Sequence, residues 1–192
     1  MIRHPDIRSS ILDSAQALIS DRGVEKATVA DIAASSGCAK GLVHYHFGTK
    51  AKLVAEVAQR VVQQRAASWT QVLGTPSPQE AIDTSWGLLT SEAEDGTVHT
   101  WAACVDRPAD RTDQSVTQHY VSFNRHLGQS VESLLLGSGL RPSVPASELG
   151  ALLGGVIHGI GKMLVARVDT VLLEAAYAAA WIGILSLAET NI

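Results

Sequence analysis

Residues 28–47 read Thr28-Val-Ala-Asp-Ile-Ala-Ala-Ser-Ser-Gly-Cys-Ala-Lys-Gly-Leu-Val-His-Tyr-His-Phe47. The pattern predicts two short helices joined by a tight turn. Thr28 and Asp31 stand at the T-x-x-D spacing of a capping pair, in which hydroxyl and carboxylate satisfy backbone N–H groups at a helix start. Ala33 is small enough to let the next helix cross closely, Gly37 turns the corner, and Val43 pins the second helix inward. That second helix, about Ala39 to Phe47, carries Lys40, Gly41, His44, Tyr45 and His46. Such side chains suit phosphate or base edges, and glycine admits a close backbone approach. Leu42 and Val43 are expected to face inward, and Phe47 to plug the core.

The flanking sequence continues the helical reading. Pro5 and Asp6 suit the first turn of a helix whose Ile11, Leu12, Ala15, Leu18 and Ile19 recur at helical spacing, with Gly23 as its left-handed end. Thr49 caps a longer fourth helix from Lys50 to Leu73, striped with Leu53, Val54, Val57, Val61 and Val62. The turn Gly74-Thr-Pro-Ser-Pro78 ends it. Further helices are expected at about 78–92, 97–106, 111–136, 146–166 and 168–190. Breaks fall at Asp95-Gly96, Arg107-Pro108, Gly137 to Gly139 and Pro142 to Pro145. No strand-like alternation or internal repeat persists. The expected fold is all-α: a three-helix helix-turn-helix unit (1–50, motif 28–47) fused through the long fourth helix to a helical body (51–192).

The chain has 192 residues, 46% of them hydrophobic, enough for a real core. Its net charge of −4 is unevenly placed. Residues 1–65 hold nine basic and six acidic side chains, a net +3, which leaves the remainder at −7. A basic head on an acidic body suits a molecule that meets a polyanion at one end. Two cysteines, Cys38 and Cys104, are too few for a disulfide framework. The N-terminus lacks an apolar signal core, and the runs Leu149–Gly161 and Ala175–Ala188 read as too short for a membrane span. A cytoplasmic protein without a membrane partner is expected.

Two late helices carry a different message. Gly150, Gly154 and Gly161 lie near one face of the eighth helix, and glycine weakens a helix by up to about 1 kcal/mol relative to alanine. Close packing must compensate. The final helix is apolar on more than one side. The pair reads as half of a four-helix dimer interface, with Gly154, His158, Gly161, Tyr177 and Trp181 in the seam; an intramolecular core is the alternative.

Residues 7–57 resemble the DNA-binding domain of the TetR family of bacterial transcriptional regulators. The most specific matches are A-T-V-A-D-I-A (27–33), G-x-x-K-G (37–41) and H-Y-H-F-x-x-K (44–50). The remainder resembles the family only in layout. The resemblance implies an all-α homodimer on a palindromic double-stranded operator, with a small-molecule pocket in each body whose occupation releases the DNA. It implies DNA contacts from Thr28, Lys40, Gly41, His44, Tyr45, His46 and Lys50. Arg3 and Arg8 lie at the same edge. Ala30 replaces the long polar residue often found there, so any readout at that position is reduced to an apolar touch. Cys38 fills a place commonly held by valine.

For a small apolar or aromatic effector, the candidate residues are Trp86, Trp101, Cys104, His119, Tyr120, Phe123, Asn124, His158 and Met163. His119, Tyr120, Phe123 and Asn124 share one helical region. His44 and His46 point about 200° apart on a helix and cannot clasp one metal ion. No metal or cofactor is expected. Two other readings stay open: a hydrolase using Asp106, Asp110, Asp113 and His119, which lacks any nucleophile or phosphate-loop motif, and an architectural protein without sequence preference.

Overall fold

The computed structural model describes residues 6–106 and 115–190. Arg3, the Pro5 helix start, the Arg107-Pro108 break, Asp110 and Asp113 lie outside them. Among the described residues the chain forms nine helices and two very short strands.

Helix α1 (Ile7–Lys26) is capped by Asp6, whose carboxylate accepts the Arg8 N–H. Its regular course breaks at Gly23, where φ is 78°, yet one further turn runs on to Lys26. Helix α2 (Val29–Ser35) opens on the complete Thr28/Asp31 capping box, and Gly37 takes a left-handed φ of 69° in the turn that follows. Helix α3 (Lys40–Phe47) and helix α4 (Lys50–Leu73, capped by Thr49) begin and end where the sequence places them. Ile11, Ala15 and Ile19 of α1, Ile32 of α2, Val43 and Phe47 of α3, and Leu53 and Val57 of α4 are buried at the N-terminal end of a hydrophobic core that continues through the later helices.

At 24 residues α4 is about 36 Å long. Its later turns bury Ala66, Trp69 and Leu73 in the second part of the molecule, so one helix serves both parts of the core. Around it pack α5 (Pro78–Glu94), α6 (Thr97–Cys104), α7 (Ser115–Gly137), α8 (Ala146–Val165) and α9 (Thr170–Leu185). Helices α7 and α8 meet backbone to backbone: a Cβ on Gly150 would lie 1.9 Å from the Asn124 carbonyl oxygen, and one on Gly128 would lie 1.9 Å from that of Ala146. The glycines that weaken α8 as a helix are what allow this crossing.

Three expectations need correction. The last helix stops at Leu185, and residues 188–190 form β2 (Ala188–Thr190), antiparallel to β1 (Leu140–Pro142) with Arg141 opposite Glu189. Strands of three residues are too short to show alternation in sequence. Leu42 is 41% exposed rather than inward. Among the described residues, helix α8 alone is long and apolar enough to cross a membrane by length and composition. Its glycine face, however, lies on α7, and Leu149, Leu153, Ile157 and Ile160 are buried within the protein.

Candidate nucleic-acid interface and ligand-binding core

The outer surface of α3 is built by what lies beneath it. Val43 and Phe47 are 2% and 4% exposed and anchor the helix in the N-terminal core. Lys40, Gly41, Leu42, His44 and Tyr45 consequently face outward, Tyr45 with 82% of its surface free. His46 is half-buried, with its ring edge-on to Tyr45 at 5.1 Å. The His44 Nδ1 lies 3.0 Å from the Gly48 carbonyl oxygen, which fixes the ring at the helix end. No side chain caps the N-terminus of α3, since Ala39 occupies that position. Its first N–H groups are therefore open to an external acceptor. A Cβ on Gly41 would meet nothing within 4 Å, and its φ is ordinary. The protein's own packing gives no reason for glycine there.

Other candidates have internal partners as well. Thr28 is exposed, but its hydroxyl donates to Asp31 Oδ2 at 2.8 Å and accepts the Asp31 N–H at 3.1 Å. These hydrogen bonds from the Thr28 side chain and backbone hold the Asp31 carboxyl below its usual range. Lys50 Nζ donates to the Glu25 carbonyl oxygen at 3.3 Å, so it ties α4 to the end of α1. Arg8 pairs with Glu56 and lies over the Phe47 ring, which gives it a structural role in place of a mobile one. Cys38 is half-buried with Ser36 Oγ at 3.2 Å, and neither cysteine forms a disulfide.

The comparisons with known proteins bear on this same segment. Residues 11–57 match the model of the family described as bacterial regulatory proteins, tetR family. The HTH-type transcriptional repressor KstR2 of Mycolicibacterium smegmatis is 34% identical over 76 residues, covering 39% of this chain and 37% of that protein. Residues 11–57 thus carry the N-terminal module of the TetR family. The HTH-type transcriptional regulator TtgR of Pseudomonas putida is 39% identical over 49 residues, 26% of this chain and 23% of that one. The matches to these TetR-family relatives thus span under two fifths of their length. The TetR fold extends over the full chain. A putative TetR-family regulator from Mesorhizobium loti superposes with a TM-score of 0.75 over 99% of this chain and all of that one, at 16% identity. A complex of SmeT with triclosan superposes at 0.66 over 96% and 92%, at 19% identity.

In the C-terminal part of the chain, four of the nine ligand candidates come together. The Trp101 ring lies 5.0 Å from Phe123, 5.7 Å from Tyr120 and 5.9 Å from His158, and Tyr120 and His158 are 5.3 Å apart. The others are dispersed. Trp86 packs on Tyr177, Cys104 is buried in α6, and His119 is half-buried on α7. Met163 is largely outward. Asn124 sits in the α7–α8 crossing beside a cavity of about 460 Å³ lined by Val121, Arg125 and Ala151.

Charged residues surround the aromatic cluster, and of these the sequence singled out only Asp106, for the hydrolase reading. Arg65, 3% exposed, lies over both Trp101 and Phe123 and donates to Glu92 Oε2 from Nε at 2.9 Å and Nη2 at 2.7 Å. Trp69 Nε1 donates to Glu92 Oε1 at 3.0 Å. Asp106 receives Tyr120 Oη, His158 Nε2 and Lys162 Nζ. Burial pushes its carboxyl up, but the hydrogen bonds from His158, Lys162 and Tyr120 outweigh that and hold it well below the usual carboxylate range. Burial, reinforced by Asp106, pushes the Tyr120 hydroxyl up to about 12. Spacing held no signal for these pairs, because Arg65 and Glu92 lie on different helices and Arg65 reads as one more surface cation of α4.

The five residues expected in a dimer seam lie inside the protomer. Tyr177 and Trp181 are 1% and 0% exposed, and Tyr177 Oη is 2.7 Å from Ser85 Oγ. Gly154 abuts Asn124, Gly161 abuts Val98 and Leu89, and His158 is bound to Asp106 and Tyr120. The outward faces of α8 and α9 present Leu152, Gly155 and Gly159, and Val171, Leu172 and Ile182 instead. Because α9 is apolar all round, its sequence could not say which side turns inward. Among the described residues no group of three His, Cys, Asp or Glu is arranged to hold a metal ion.

Proposed function

We propose that this chain is a dimeric, ligand-responsive transcriptional repressor. Residues 1–50 read a palindromic operator, and residues 51–192 dimerise and bind the effector. Lys40, His44 and Tyr45 are assigned to base edges and phosphate, with Thr28, Gly41, His46 and Lys50 at the backbone of the duplex. The observation that carries the reading is the surface of α3. A cation, an imidazole and a phenol stand exposed on a helix whose other side is anchored by Val43 and Phe47, next to a glycine that the fold itself does not need. This is the presentation a recognition helix requires in a major groove.

Dimerisation is supported by the outward face of α8 and α9, where Val171, Ile182 and Leu172 are 74%, 68% and 61% exposed. A contiguous apolar face of this kind marks an interaction surface, and twofold pairing is the commonest way to cover it. The likeness to KstR2, a transcriptional repressor, and to SmeT, solved with triclosan, supports repression and a small-molecule effector. No cofactor is needed for such a role, and the site of action is the cytoplasm, where the DNA is.

Selection of bound duplexes from a random pool tests the reading. It is expected to return a palindrome whose half-sites lie about one helical turn, roughly 10 base pairs, or a multiple of that apart. Recovery of duplexes with no enriched sequence would favour the architectural reading instead.

A further inference from the structure

Asp106 follows Val105 beyond the end of α6, while its three donors come from other helices: Tyr120 from α7, and His158 and Lys162 from α8. Tyr120 Oη donates to Asp106 Oδ1, His158 Nε2 lies 2.8 Å from Oδ2, and Lys162 Nζ also lies 2.8 Å from Oδ2. Three converging donors form a seat for one carboxylate. Its walls are the half-buried rings of Tyr120 and His158, both backed by the buried Trp101. Among the described residues Lys162 stands half-exposed at its rim, while Asp106 keeps 15% of its side-chain surface free. The deeper cation, Arg65, is committed to Glu92 through two hydrogen bonds. The anion-binding capacity of this cluster thus resides in the seat, and the chain fills it with its own side chain.

We propose that this seat is where the effector is recognised, that the effector is a small aromatic carboxylate, and that Asp106 is the built-in competitor it displaces. The inference rests on the ligand-responsive reading above and adds the chemistry of the ligand. An incoming carboxylate replaces like with like. The three donors stay satisfied, so no buried polar group is left unpaired. A flat ring would lie against Tyr120 and His158, where an aliphatic polar ligand would gain little. What changes is the anchorage of α6. Its far end is fixed to α1, because Ser20 Oγ donates to the Gly96 carbonyl at 3.1 Å and a Cβ on Gly96 would lie 2.0 Å from Ser20 Oγ. Eight residues of helix, about 12 Å, therefore join the seat to the helix that supports the DNA-reading head. Releasing Asp106 frees one end of that strut. Because the native seat is already filled, the effector's apparent affinity is lowered by the fraction of time Asp106 occupies it.

The test uses benzoate as probe, with benzamide as its neutral counterpart, at matched ionic strength and without DNA, so that its outcome is independent of operator binding. In the full chain with Asp106→Gly, benzoate is expected to bind at least tenfold more tightly than to the native chain and to raise the melting midpoint, while benzamide does neither. Adding Lys162→Met removes at least tenfold of that affinity. Should Asp106→Gly fail to fold, Asp106→Ala also vacates the seat and carries the same expectation. Benzoate without effect on the folded variant, or benzamide binding as well as benzoate, overturns the proposal.

Discussion

Gly41 is the position where sequence and structure most clearly separate fold from function. It lies inside an eight-residue helix, has an ordinary φ, and has open space where a Cβ would stand. Alanine there should stabilise α3 by up to about 1 kcal/mol. We expect Gly41→Ala to raise the melting midpoint while weakening operator binding tenfold or more, because the added methyl stands between α3 and the duplex. Equal affinity in native and variant chains would remove Gly41 from the interface. Thr28 and Lys50 do not separate so cleanly. Each is bonded within the protein, to Asp31 and to the Glu25 carbonyl, so substituting either perturbs fold and interface together.

Among the helices, α4 and the α7–α8 pair carry the architecture, and they differ in how well the sequence announces them. Helix α4 was legible because its cap, its apolar stripe and the Gly74–Pro78 stop all agree. So was the turn from α2 to α3, where capping box, glycine and apolar anchor fall in order. The strand pair and the buried Arg65–Glu92 pair were not legible, since each is defined by a partner far away in sequence. Two predictions follow from these contacts. Gly150→Ala should cost about 1–3 kcal/mol or more, since its Cβ meets the Asn124 carbonyl, whereas Gly87→Ala, on the open face of α5, should be neutral or stabilising. Urea midpoints measure both, and equal midpoints would contradict the close crossing. Arg65→Met alone should cost about 3–5 kcal/mol by leaving Glu92 buried and uncompensated. The added change Glu92→Gln should recover at least half of that loss, as it removes the charge and keeps the acceptor for Trp69.

Taken together, the protein is a braced reading helix at one end and an uncovered apolar face at the other. Tyr177 and Trp181, expected from sequence in a seam, are buried within the same chain, because aromatic content marks tight packing without saying whether the neighbour is the same chain or another. Ile182→Glu places a charge on the exposed face of α9 without touching the core. It should convert a dimer to a monomer in sedimentation velocity, and an unchanged sedimentation coefficient would shift the interface elsewhere. The most direct measurement is a fluorescence anisotropy titration of the selected duplex against a scrambled one, for the native chain and for Tyr45→Ala. Tyr45 is almost entirely free of the fold, so its loss should leave the melting midpoint within about 0.5 kcal/mol of native stability. We predict that the native chain prefers the selected duplex at least a hundredfold, and that Tyr45→Ala loses tenfold or more of that preference at unchanged stability. Equal binding to both duplexes by the native chain, or an unaltered preference in the variant, would contradict the assignment of α3 as the reading helix.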